Sequence, residues 1–76
     1  MTYILFQRDG DFTNEDGESV GLYEHLDYLA EWGGSPDHWT VCDTLQQAIE
    51  EASSEAEHGE AIIVTDSSYN IVYETD

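Results

Sequence analysis

Apolar residues follow two rhythms along this chain. Leu45, Ala48, Ile49, Ala52 and Ala56 recur at i, i+3, i+4, i+7 and i+11, the spacing of one helical stripe. Asp43 stands where an N-cap belongs, Gln46 three residues on completes a capping box, and Gly59 follows as a C′ residue. The pattern predicts an amphipathic helix over 43–57. A second helical stripe, Leu22, Leu26, Leu29 and Ala30, is capped by Ser19, stopped by Gly33-Gly34 and kept from resuming by Pro36. Strand-like stretches fill the rest. Tyr3 to Arg8 alternates aromatic and branched residues up to the turn at Asp9-Gly10, and His38 to Cys42 is a short second strand. Ala61 to Thr65 and Ile71 to Glu74 flank the turn formers Asp66-Ser67-Ser68-Tyr69-Asn70, which predicts a terminal hairpin. Residues 9–19 form a polar loop with room for an irregular hairpin around Phe12. The expected order is β-α-β-α-β-β: an α+β domain with a small antiparallel or mixed four-stranded sheet and two helices on one face.

Seventy-six residues make one domain, 1–76, near the lower limit for an independent core. The chain is 39% hydrophobic, enough to fold, so an acidic disordered tail is excluded. Its charge is the feature that changes the picture. Eighteen acidic residues face one basic residue, Arg8, for a formal net charge of −17. Small soluble domains commonly carry a net charge of ~2–8. The outward helix positions Glu50, Glu51, Glu55 and Glu57, and likewise Glu24, Asp27 and Glu31, have no Lys to pair with. Glu51 and Glu55 are like charges four apart, which weakens a helix on its own. Such a face costs folding free energy and calls for a reason.

Catalytic and metal chemistries find little support. Asp9, Asp11, Glu15, Asp16 and Glu18 offer oxygen ligands, but counted from Asp9 the fifth, sixth and twelfth places hold Thr13, Asn14 and Val20, not the residues a calcium loop needs. His38 and Cys42 are four apart without the further ligands of a closed zinc site, and the histidines are expected at the surface. No nucleophile elbow, phosphate loop or dinucleotide fingerprint is present, so neither an enzyme nor a cofactor is expected. Lone Cys42 forms no internal disulfide and fits a small core residue in a reducing compartment. The N-terminal residues have no basic n-region, no stretch reaches the ~18 apolar residues of a membrane span, and a cytoplasmic location is expected. Nucleic-acid binding is excluded, since no basic patch neutralises phosphate.

The opposite relation to nucleic acid fits the charge. Duplex DNA carries one negative charge per ~1.7 Å of axis, so seventeen charges match roughly 29 Å of duplex. A compact chain of this length has a radius of gyration near ~11 Å and a diameter of about 29 Å. In size, net charge and near-absence of Lys and Arg the whole chain resembles the small acidic phage-encoded DNA-mimic inhibitors, of anti-CRISPR and anti-restriction type. The resemblance is one of composition and transfers no residue roles. It implies an inhibitor in the nucleic-acid cleft of a phage-defence effector, and a basic DNA-binding protein or nuclease complex as partner of a monomer or dimer. The contact residues expected are Glu50, Glu51, Glu55, Glu57, Glu24, Asp27, Glu31, Asp9, Asp11, Asp16 and Glu18, with Trp32, Trp39 or Tyr69 as aromatic anchors. Two other classes compete: an acidic adaptor docking some other basic protein, and a halophile's protein whose acidity serves solubility in brine.

Overall fold

A computed structural model describes residues 2–14, 16–34 and 38–75; Pro36 and Glu15 lie outside the described residues. The elements in chain order are β1 (Tyr3–Gln7), β2 (Phe12–Thr13), β3 (Ser19–Val20), α1 (Leu22–Trp32), β4 (Thr40–Cys42), α2 (Leu45–Glu57), β5 (Ile62–Thr65) and β6 (Ile71–Glu74). Four strands form an antiparallel sheet in the order β4-β1-β5-β6, and β2 pairs with β3 in a separate two-stranded ribbon. The α+β class, the two helices and the four-stranded sheet agree with expectation, and the hairpin around Phe12 is this ribbon.

One detail departs from the sequence reading, which put both helices on one face. Side chains alternate along a strand, and the two sets on β1 meet different helices. Ile4 and Phe6, with Ile63 of β5, pack against Leu22, Leu26 and Leu29 of α1 and against Phe12. Leu5, with Ile62 and Val64 of β5, packs against Ala48 and Ala52 of α2 and against Cys42. The helices therefore lie on opposite faces. The physical reason is that Ile4-Leu5-Phe6 and Ile62-Ile63-Val64 are buried without interruption. A strand apolar on both sides needs cover on both sides.

The helix ends show how local chemistry sets these boundaries. α2 begins at Thr44, not Asp43: the Thr44 hydroxyl accepts the Gln47 N–H at 3.1 Å. Gln46 turns instead to Glu50, donating from its amide at 3.5 Å. At the other end Gly59, with φ of 90°, makes a Schellman closure, its N–H bonded to the Ala56 carbonyl and the Glu60 N–H to that of Glu55. His58 adds a ring bond, Nδ1–H donating to the Ser54 carbonyl at 2.9 Å. Ser19, expected to cap α1, belongs to β3, and the N-cap is Gly21 in an extended conformation. Gly33 ends α1 as expected, with φ of 78° and its N–H on the Leu29 carbonyl.

Candidate functional site

The expected contact residues are surface groups, so the question is which of them the fold gathers. On α1, Glu24, Asp27 and Glu31 are all exposed and stand three and four apart, on one outward stripe opposite Leu22, Leu26 and Leu29. On α2 the four acids divide. Glu50 and Glu57 are outermost, while Glu51 and Glu55 share a flank, with Glu55 half-buried beside the inward Ala48 and Ala52. Because the helices sit on opposite faces of the sheet, these two acidic faces point away from one another. No single flat partner covers both.

The loop acids lie nearer α1. Asp16 and Glu18 are exposed on the β2–β3 ribbon, which packs through Phe12 and Val20 into the α1-side core. Asn14 organises this turn. Its Oδ1 accepts the Asp16 N–H at 3.0 Å and the Glu18 N–H at 2.9 Å, and Gly17 takes the left-handed φ of 79° that the turn needs. Asp9 and Asp11 are exposed in the preceding turn, where the Gly10 N–H bonds the Gln7 carbonyl. Asp11 also borders a groove of about 230 Å³ lined by Gln7, Gly10, Phe12, His38 and Trp39. Among the described residues, no group of three or more His, Cys, Asp or Glu side chains comes together as a metal site.

The aromatic candidates behave differently from one another. Trp32 is largely exposed at the end of α1 and Trp39 is partly exposed at the groove. Tyr69 is packed against the α1-side core, so it is structural. Tyr23, outside the expected contact set, is exposed on the first turn of α1. His25 was expected at the surface and is buried, stacked on Phe12 at 5.0 Å between ring centroids and edge-on to Phe6 at 6.4 Å. Its signal was there to find: Leu22, His25, Leu26 and Leu29 stand at i, i+3, i+4 and i+7.

Two titratable groups are set by their surroundings. Burial pushes the Cys42 thiol above its usual range, and the Glu51 and Asp43 carboxylates add to this. The thiol therefore stays protonated and is a poor nucleophile. Asp66 opens the β5–β6 turn. Its carboxylate accepts the backbone N–H groups of Asn70 (3.0 Å) and Ser68 (2.9 Å) and the Asn70 side-chain amide at 3.4 Å. These bonds, the Asn70 backbone N–H first, hold its carboxyl below the usual carboxylate range. A depressed folded-state pKa means that Asp66 contributes stability above its ordinary pKa and loses it as pH falls through the lower folded value. Asp66→Ala should therefore lower the unfolding midpoint at pH 7, and the gap to the parent should shrink as pH drops below about 4, the ordinary carboxylate range. Urea melts of both proteins across that range check this; a gap independent of pH would contradict it.

Comparison with known proteins adds no identity: no family model, curated protein or solved structure matches this chain. The described residues contain no helix long and apolar enough to cross a membrane.

Proposed function

We propose that the protein is a DNA mimic, an inhibitor that occupies the nucleic-acid-binding cleft of a phage-defence effector in the host cytoplasm, in the first place a CRISPR surveillance complex or nuclease. The observation that carries this is charge held on a folded frame: 18 acidic residues against one basic residue, with Glu24, Asp27, Glu31, Glu50 and Glu57 all exposed on rigid helices. Carboxylates on successive helical turns stand ~5–6 Å apart, near the repeat of a phosphate row. The Cα atoms span 34 Å along the longest axis, and a duplex of that length carries roughly 20 charges at ~1.7 Å each, against the formal 17 here. A cleft lined with Lys and Arg for phosphate would attract such a body from a distance. Once seated, the domain offers no base to read and no phosphodiester to cut, so it blocks the cleft without being consumed.

Binding is then competitive with DNA. A pulldown from host lysate, followed by a DNA-competition assay on the recovered protein, tests this. The expected result is a nucleic-acid-binding protein whose DNA is displaced in proportion to added inhibitor. A partner without a nucleic-acid site, or one that binds DNA equally well with this protein attached, overturns the proposal and leaves an acidic adaptor in its place.

A further inference from the structure

Only one of the two acidic helix faces also exposes aromatic rings. Tyr23 is 54% exposed and Trp32 71% exposed. They stand on the first and last turns of α1, about 13.5 Å apart along the axis, and bracket the stripe of Glu24, Asp27 and Glu31. The outermost positions of α2, including Gln46, Glu50, Ser53, Ser54 and Glu57, carry no ring. Other exposed apolar groups gather on the α1 side as well. Val41 pairs with Ile4 and so shares the α1 face of the sheet. Trp39 borders the groove with Phe12, whose ring belongs to the α1-side core. Leu45, on the first turn of α2, and Ile71 and Val72, on edge strand β6, are exposed apolar groups outside this set.

We infer that the α1 side is the docking face, and that its occupant is an arginine-bearing surface of a protein partner. A guanidinium is planar and weakly hydrated. It stacks on an indole or phenol face while its fork bonds a carboxylate, and an ammonium does this poorly. Tyr23, four residues from Asp27, supplies ring and carboxylate together, and Trp32 on the last turn adds a second exposed ring on the other flank of the acidic stripe. A second copy of this chain is a poor occupant, because it would bring another −17 onto an already negative face. The acids of α2, on the far face, then raise the rate of encounter without touching the partner. This rests on the mimic proposal only in taking the partner to be basic; it says which face meets it and through which cation.

The test uses the full chain, 15N-labelled, titrated with oligoarginine and with oligolysine of equal length at about 150 mM salt, where long-range attraction is screened. Backbone amides from Tyr23 to Trp32 and the Trp32 indole N–H should shift most. Oligoarginine should bind about three- to tenfold tighter than oligolysine, as one or two exposed cation–π contacts allow. The double variant Tyr23→Ser/Trp32→Ser alters two exposed side chains and should keep the dispersed spectrum of the fold. It should also bind both peptides equally. Shifts on α2 as large as those on α1, equal binding of the two peptides by the parent, or no binding at all would each overturn the inference. None of those results bears on DNA competition, which is read with the recovered partner.

Discussion

Phe6→Ala should destabilise the domain by about 3–5 kcal/mol, the cost of removing a fully buried aromatic side chain. Phe6 has no exposed surface and lies at the junction of three elements. Its ring meets Phe12 of β2 edge-on at 6.2 Å, and His25 of α1 edge-on at 6.4 Å. The substitution therefore loosens β1 from both layers above it. A domain of this size has about 4–11 kcal/mol in all, at 0.05–0.15 kcal/mol per residue. Much of the chain would then be unfolded or near its threshold at 25 °C. Val72→Ala, on the half-exposed edge strand β6, should stay within about 0.5 kcal/mol. Urea midpoints with unchanged slopes check both. A Phe6→Ala loss below about 1 kcal/mol would mean that the α1-side core is not the main source of stability.

Salt should move two observables in opposite directions. Between about 20 and 300 mM the screening length falls from roughly 20 Å to roughly 6 Å. At the lower salt, carboxylates across a body with Cα extents of 34 × 27 × 15 Å still repel one another. At the higher salt only near neighbours do, such as Glu51 with Glu55 and Asp27 with Glu31. The melting midpoint should rise, by about 4–8 °C for each kcal/mol of repulsion removed. Binding to the basic partner should weaken over the same range, because the attraction is screened along with the repulsion. Thermal melts and the competition assay, run on the same salt series, read both. A flat or falling midpoint would contradict the first expectation, and partner binding that strengthens with salt would contradict the second. A fold that needs molar salt would point to the halophile reading.

The two periodicities read from the sequence were sound where a signal was local. The Ala48 and Ala52 stripe, the Gly59 closure, the Gly33 stop and the Asp66–Asn70 turn all depend on residues within a few positions of one another. Cap residues are ambiguous where neighbours compete. Asp43 and Thr44 can both cap a helix, and only the backbone path decides that Thr44 does. Ser19 was available as a cap until β3 claimed it. The layering was missed for a different reason. Ile4-Leu5-Phe6 sits within an alternating strand pattern, yet three apolar residues in a row indicate cover on both faces. That error matters most for the candidate site, since which acids share a surface depends on which side each helix takes. Strand pairing between distant stretches decides it, and no local pattern reports it.

The place of β1 also sets how this chain must fold. It lies inside the sheet, with Ile4 paired to Val41 on one side and to Thr65 on the other. Neither neighbour is near it in sequence. During synthesis β1 therefore precedes both of its partners and stays incompletely paired until β5 has been made. α1 and α2 lend little order meanwhile, as short helices with like charges are marginal alone. The non-local pairing of β1 with β4 and β5 predicts folding slower than a helical bundle of equal length, at a rate between those of helical and all-β domains. Through that interval the apolar stretch Ile4-Leu5-Phe6 is open to association with other chains. The acid that burdens the folded state then acts as protection, since nascent copies carrying the same sign of charge repel one another before the sheet can close.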